Sequence, residues 1–132
     1  MSNVAVARAA YEAFAREDMA GVYAAMDDEI VWHEAQGLPH GGVYRGLAAV
    51  RAEIFEPIDA SWWDGFAATP DEFVDAGDHV LVLGRYTATA RATGRRLDVP
   101  FAHVWRFRDG RAVEFRQFTD TRGWTDALAE PD

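Results

Sequence analysis

The chain has 132 residues, of which 49% are hydrophobic and 13% aromatic, a composition typical of a globular domain and not of a disordered segment. The formal net charge of −9 disfavours nucleic acid and anionic membranes as partners. All basic residues are arginine and there is no cysteine, which excludes Schiff-base chemistry on a lysine, disulfide bonds and thiolate metal sites.

The spacing of apolar residues predicts three helices in the first half of the chain. In the first helix, which Ser2 or Asn3 can cap, residues at i, i+3, i+4 and i+7 are apolar: Ala7, Ala10, Tyr11 and Phe14. In the second, which Asp18 can cap, the same spacing gives Met19, Val22, Tyr23 and Met26. A third helix is predicted from Leu47 to about Phe55, because Pro57 stops it.

Between the second and third helices we predict one strand and a loop. Residues 30–34 alternate in the manner of a strand, with Trp32 on one face and His33 on the other. Residues 35–46 are dense in turn residues and predict a loop, in which we expect His40 to be solvated.

The second half of the chain predicts antiparallel strands. Extended segments cover residues 62–74, with a break near Pro70, and residues 79–90, and a hairpin covers residues 96–120. Asp120 or Thr121 can cap a short last helix. Helices come first and strands follow, so the predicted fold class is α+β, in a single domain over residues 1–132. No segment resembles a signal peptide or a membrane span, so we expect a cytoplasmic location.

The hairpin around Asp109–Gly110 places a histidine, His103, inside an apolar face. A two-residue turn would pair His103 with Arg116. A three-residue loop, with Gly110 as a left-handed bulge, would pair His103 with Phe115. We favour the second register because it leaves no charge on the buried face. It makes His103 and Gln117 inward-facing polar neighbours on diagonal positions.

Four segments together resemble the SnoaL-like branch of the nuclear transport factor 2 superfamily: Leu38–Gly46, Phe101–Trp105, Asp109–Gly110 and Arg116–Thr121. The resemblance covers nearly the whole chain. It implies a cone-shaped barrel, in which a strongly curved antiparallel sheet wraps around the amino-terminal helices. It says less about activity, because this fold hosts isomerases, cyclases, hydrolases and binding modules.

The resemblance also implies roles for individual residues. Polyketide cyclases of this type use a histidine and an aspartate of the last hairpin, which correspond here to His103 and Gln117; an amide cannot take a proton at working pH. Ketosteroid isomerases use an aspartate base, a protonated aspartate and a tyrosine, which correspond to His33, His103 and a position within one residue of Tyr11. Epoxide hydrolases of this fold need Arg-x-Asp where this chain has Phe101-x-His103, so that reaction is disfavoured.

We therefore predict catalytic roles for His33 as general base, His103 as acid or oxyanion donor, and Gln117 as the residue that orients His103. The predicted pocket is aromatic, and its walls are Tyr11, Phe14, Tyr44, Trp62, Trp63, Phe101, Trp105 and Phe115. No pair of histidines has the spacing of a metal site, so neither a metal nor another cofactor is expected.

The function that these residues favour is acid/base catalysis on a small hydrophobic carbonyl compound, as in an isomerase, a cyclase or a lyase of the dehydratase type. Gln117, where an acid would be needed, favours an alternative: a small-ligand-binding module without turnover. A third possibility is a protein-interaction module. Ala102, Val104 and Phe118 on the outer face of the sheet predict a homodimer.

Overall fold

A computed structural model describes residues 1–129 and contains four α-helices and six strands. The helices are α1 (Asn3–Ala15), α2 (Met19–Ala24), α3 (Leu47–Val50) and α4 (Thr121–Leu128). The strands are β1 (Met26–Glu34), β2 (Gly42–Arg45), β3 (Trp63–Ala76), β4 (His79–Ala90), β5 (Arg96–Arg108) and β6 (Arg111–Thr119). Two π-helical segments, Arg51–Phe55 and Ile58–Trp62, connect α3 to β3. The last three residues of the predicted domain lie outside the described ones.

Polar side chains cap the amino-terminal ends of three helices, as the sequence predicts. The side chains of Ser2, Asp18 and Asp120 accept hydrogen bonds from backbone N–H groups three residues further on, at the starts of α1, α2 and α4. Each bond satisfies a donor that a helix leaves free in its first turn.

The six strands form one curved sheet in the order β2-β1-β6-β5-β4-β3. All neighbours are antiparallel except β1 and β6, which are parallel. The sheet is not closed, since β2 and β3 are edge strands. Helices α1, α3 and α4 cover the concave face of the sheet. This α+β architecture confirms the predicted fold class.

Three predicted boundaries are wrong. Met26 begins β1 instead of ending α2, because its side chain is buried in the sheet core. Residues 42–45, predicted as loop, form the short edge strand β2, whose Tyr44 pairs with Trp32. The third helix is α-helical only to Val50 and then widens into π-helical turns that continue past Pro57.

The register of the last hairpin differs from both sequence alternatives. Asp109 and Gly110 have positive φ values of 52° and 79°, which is the geometry of a two-residue type I′ turn. The pairing then shifts, because Phe107 faces Ala112 but Arg106 faces Glu114, so Val113 forms a bulge.

The bulge places Gln117 opposite His103, so the predicted pairing of His103 with Phe115 is wrong. The predicted register was displaced from the observed one by two residues. An even displacement keeps every side chain on its face, and Phe115 and Gln117 are buried as predicted.

Candidate functional site

A cavity of about 660 Å³, which includes its open mouth, lies between the concave face of the sheet and the helices. Most of its walls are apolar or aromatic, with polar groups at two places. The residues that line it are Ala10, Tyr11, Phe14, Val22, Met26, Trp32, Glu34, His40, Ile54, Phe55, Ile58, Phe66, Ala68, Tyr86, His103, Trp105, Phe115, Gln117 and Trp124.

His103 is the centre of the first polar group. Its side chain projects from the middle of β5 and is buried, with one face stacked on Phe101 at a ring separation of 3.9 Å. The hydroxyl of Tyr11, on α1, lies 2.5 Å from Nδ1 of His103. The hydroxyl of Tyr86, on β4, lies 2.5 Å from Nε2. Both ring nitrogens are therefore hydrogen-bonded to tyrosine hydroxyls.

Two further donors fix this network from outside. The indole N–H of Trp105 donates to the Tyr11 hydroxyl at 2.9 Å. The amide N–H of Gln117 donates to the Tyr86 hydroxyl, also at 2.9 Å. The orientation of the Gln117 amide is determined, because its oxygen accepts the backbone N–H of Ala35 at 3.0 Å. Gln117 thus acts on His103 through Tyr86.

The network contains one hydroxyl hydrogen more than it can use. A neutral imidazole donates from one nitrogen and accepts at the other. If Tyr11 donates to Nδ1, then Nε2 donates to Tyr86, which already accepts from Gln117, and the Tyr86 hydrogen stays free. With the other tautomer, Tyr86 donates to Nε2 and the Tyr11 hydrogen stays free. In both cases one tyrosine hydroxyl on the cavity wall can donate to a ligand oxygen.

Burial keeps this network uncharged. Desolvation lowers the pKa of His103 to about 3, so its imidazole is neutral at physiological pH. Desolvation also raises the pKa of both tyrosines well above its usual range, and the nearby Glu34 carboxylate adds to the effect on Tyr86. The network can therefore donate a hydrogen bond to an oxygen, while its own groups resist ionisation.

Glu34 and His40 form the second polar group. Glu34 ends β1 and is buried, and one of its carboxylate oxygens accepts the indole N–H of Trp32 at 2.8 Å. The other oxygen lies 2.9 Å from Nε2 of His40. Nδ1 of His40 is buried and has no hydrogen-bond partner among residues 1–129. The pair therefore combines a carboxylate with an imidazole that has one unused nitrogen.

His33 does not lie in this cavity, so the prediction that it faces the same space as His103 is wrong. Strand alternation turns Trp32 and Glu34 inward and His33 outward, toward the convex face of the sheet. There Nε2 of His33 lies 3.5 Å from a carboxylate oxygen of Glu114.

Of the eight predicted wall residues, four line the cavity: Tyr11, Phe14, Trp105 and Phe115. Phe101 is buried behind His103, and Trp63 packs against Trp124 with ring centres 5.4 Å apart. Tyr44 and Trp62 instead lie around His40. The Tyr44 hydroxyl donates to the His40 carbonyl oxygen at 2.7 Å, and the Trp62 ring centre is 5.8 Å from that of His40.

Tyr86, Glu34 and His40 belong to the site but were not among the residues predicted for it from the sequence. Tyr86 has the parity of Val80 and Val82 on β4, all three buried, and this alternation could have placed it inside. His40 could not have been found in this way, because a turn-rich loop has no periodicity that predicts where a side chain points.

Within the described part of the chain, no three His, Cys, Asp or Glu side chains come close enough together to hold a metal ion. The helices in residues 1–129 are all too short or too polar to cross a bilayer.

Comparison with known proteins identifies the family. The model of the SnoaL-like domain matches residues 7–115. The chain belongs to the SnoaL-like domain family. This confirms the resemblance that the sequence motifs indicate. No curated protein matches the chain.

Several solved structures are similar to this SnoaL-like chain. An NTF2-like protein from Burkholderia thailandensis E264 is 35% identical, with a TM-score of 0.93, and the match covers 98% of this chain and 99% of that one. An NTF2-like protein of unknown function from Burkholderia pseudomallei K96243 is also 35% identical, with a TM-score of 0.88 and coverage of 98% and 100%. TerC, co-crystallised with polyporic acid, is 26% identical, with a TM-score of 0.84 and coverage of 95% and 96%.

Proposed function

We propose that this SnoaL-like protein binds a small, largely apolar carbonyl compound and catalyses proton transfer next to the carbonyl group. Isomerisation, cyclisation and dehydration all include such a step. The observation that supports the proposal is the spare tyrosine hydroxyl of the Tyr11–His103–Tyr86 network. A fixed donor aimed at the carbonyl oxygen stabilises the negative charge that develops there when a neighbouring C–H bond breaks.

The cavity walls indicate the class of ligand. Among the described residues that line the cavity, nine are phenylalanine, tyrosine or tryptophan and none is arginine. Within residues 1–129, Glu34 is the only acidic side chain on the wall and His40 the only histidine besides His103. A ligand with a permanent negative charge would find no cation to pair with, so we infer a neutral compound with an aromatic or alicyclic body.

The similarity to TerC supports a small-molecule pocket, because that protein was co-crystallised with polyporic acid. At 26% identity the likeness extends over nearly the whole chain. We include polyporic acid among the compounds to be tested for binding, and we infer nothing about turnover from it.

The proposal can be tested with two matched probes. 2-Tetralone is a small apolar ketone with acidic C–H bonds beside its carbonyl, and exchange of these hydrogens for deuterium in D2O can be followed by NMR. 2-Naphthol resembles the enol form of that ketone, and its binding can be measured by calorimetry. We expect faster exchange with the protein than with buffer, and a loss of both activities when the Tyr11 and Tyr86 hydroxyls are removed together.

The control for these measurements is His79→Ala. His79 lies outside the cavity, exposed beside Asp78, and its removal should change neither probe. If the wild-type protein neither binds 2-naphthol nor exchanges 2-tetralone, the proposal fails for this ligand class.

A second candidate function is ligand binding without turnover. It is favoured by the neutral state of the network: burial lowers the pKa of His103 to about 3, and Gln117 stands where cyclases of this type have an acid. Such a network can hold an oxygen without giving up a proton. Tight 2-naphthol binding by a protein that leaves 2-tetralone unexchanged would favour this function.

A further inference from the structure

We infer that the proton acceptor of the proposed reaction is Nδ1 of His40, and that Glu34 is the residue that positions its ring. This inference rests on the proposed function and names the group that removes the proton. The Tyr11–His103–Tyr86 network cannot serve as the acceptor, because both ring nitrogens of His103 are engaged and burial disfavours the imidazolium that would form. A separate base is therefore required, and the second polar group of the cavity provides one.

The geometry assigns different tasks to Glu34 and His40. Both oxygens of the Glu34 carboxylate have partners, Trp32 on one side and His40 on the other. A carboxylate only accepts, so the contact at 2.9 Å is attractive when the imidazole nitrogen that faces it, Nε2, bears hydrogen. The lone pair of the neutral ring is then on Nδ1, the buried atom that lacks a partner among residues 1–129.

The loop around His40 fixes the position of the ring. Two backbone hydrogen bonds, from Leu38 to Ala35 and from Gly41 to Leu38, close the loop. Gly41 lies so near Ala35 that a Cβ atom would be 2.4 Å from the Ala35 carbonyl oxygen. The Tyr44 hydroxyl binds the His40 carbonyl, and Trp62 and Trp124 flank the ring. A base held in place in this way needs little reorganisation when the substrate arrives.

The proposed step transfers a proton from a carbon atom of the substrate to His40. The C–H bond beside the carbonyl breaks, its electron pair forms a carbon–carbon double bond, and the carbonyl electrons move to the oxygen. The proton goes to Nδ1 of His40, and the imidazolium formed is stabilised by Glu34. The oxygen receives a hydrogen bond from the spare tyrosine hydroxyl. Exchange of this proton with solvent before it returns to carbon is what the deuterium measurement detects.

Two substitutions separate this role from a structural one. His40→Ala should lower 2-tetralone exchange about 10²–10⁴-fold and change 2-naphthol affinity by less than about threefold, because the oxygen-binding network is intact. Added imidazole should restore part of the exchange, since the substitution leaves a space where the His40 ring was.

Glu34→Gln is the sharper test. The indole N–H of Trp32 needs an acceptor, so the oxygen of the introduced amide faces Trp32 and its NH2 faces Nε2 of His40. The ring must then accept at Nε2 and bear hydrogen on Nδ1, which can no longer take a proton. We expect a loss of about 10²–10⁴-fold in exchange with the fold retained, as for other bases held in the wrong tautomer.

Nitrogen-15 NMR of the imidazoles reads the tautomer directly, and the protein has only four histidines to assign. We expect hydrogen on Nε2 of His40 in the wild type and on Nδ1 in Glu34→Gln. Hydrogen on Nδ1 in the wild type overturns it, and so does wild-type exchange in His40→Ala. If the wild type binds 2-naphthol but leaves 2-tetralone unexchanged, the catalytic part of the proposed function falls, and the inference falls with it.

Discussion

His103 and Gln117 lie directly opposite each other in the pairing of β5 with β6, yet Tyr86 joins their side chains. The Tyr86 hydroxyl is hydrogen-bonded to the imidazole of His103 on one side and to the Gln117 amide on the other. Since an amide does not titrate, Gln117 supplies a fixed hydrogen-bond donor to Tyr86. The result is a neutral, fully hydrogen-bonded wall with a hydroxyl hydrogen left for a ligand.

We predict that Tyr11→Phe and Tyr86→Phe each destabilise the protein by about 1–3 kcal/mol. Each change leaves a buried N–H, from Trp105 or Gln117, and a nitrogen of His103 without a partner. The substitution that removes the free hydroxyl should also weaken 2-naphthol binding by about tenfold, which corresponds to about 1.4 kcal/mol. Denaturant unfolding and calorimetry measure the two effects.

The control for the tyrosine substitutions is Tyr23→Phe. Tyr23 is half-buried beside Arg51 and lies outside the cavity. Its hydroxyl should be dispensable for binding. Equal 2-naphthol affinity in Tyr11→Phe, Tyr86→Phe and the wild type would show that the network does not contact the ligand oxygen.

We predict that His103 makes stability fall as the solution is acidified below about pH 6.5. Burial lowers its pKa to about 3 in the folded protein, whereas an unfolded chain has the ordinary value of about 6.5. Between these values only the unfolded chain binds the proton, so acid favours unfolding. From pH 7 to pH 5 the loss attributable to His103 is about 2 kcal/mol.

Denaturant melts of the wild type and His103→Gln between pH 5 and pH 7 isolate this contribution, because other titrating groups are common to both proteins. The substituted protein should show the smaller decline. Parallel curves for the two proteins would mean that His103 is protonated in the folded state as readily as in the unfolded one.

The strand faces could be predicted from the sequence, but the strand partners could not. Alternation of apolar residues determines which side chains of β5 and β6 point inward, and Phe115 and Gln117 do so. The bulge at Val113 has no comparable signal, because Ala112 and Val113 are both apolar and both buried. The choice between registers therefore depended on the turn, and Asp109–Gly110 permits more than one geometry.

The candidate site could be predicted only where it lies on regular structure. His103 stands at an inward strand position and Tyr11 at a buried helix position, and both were found from periodicity. Trp32 was placed correctly on the face opposite His33, but the buried carboxylate of Glu34 was not expected, because acidic residues are rarely inside. Its partner His40 comes from a loop whose path depends on contacts with Tyr44 and Trp62, which local sequence does not encode.

We predict opposite outcomes for two neighbouring substitutions on β6. Phe115 is 1% exposed and stacks on Trp32 at 3.7 Å, so Phe115→Asp should unfold the protein or destabilise it by more than about 3 kcal/mol. Glu114 lies on the convex face near Arg106 and Arg116, and Glu114→Ala should cost less than about 1 kcal/mol. Thermal melts of both variants compare the stability that each residue contributes. Similar losses of stability would contradict the assignment of Phe115 to the buried face and Glu114 to the convex face.

We propose finally that two copies of the chain associate through the convex face of the sheet. Leu83, Ala102 and Phe118 stand side by side on β4, β5 and β6 and form a continuous outward row. Leu83 is 39% exposed and Phe118 54%, and Val43 on β2 is 52% exposed. An apolar surface of this kind is seldom left in contact with water.

Sedimentation at micromolar concentration should therefore show a homodimer, and Phe118→Arg should shift it toward the monomer, because two introduced charges would be buried against each other. Arg122→Glu is the control: this side chain is 88% exposed on α4 and should leave the assembly unchanged. Arg122→Glu should melt close to the wild type, and Phe118→Arg should keep its fold, since neither residue belongs to the core. A wild-type monomer at these concentrations would contradict the dimer, and a dimer that survives Phe118→Arg would locate the interface away from this row.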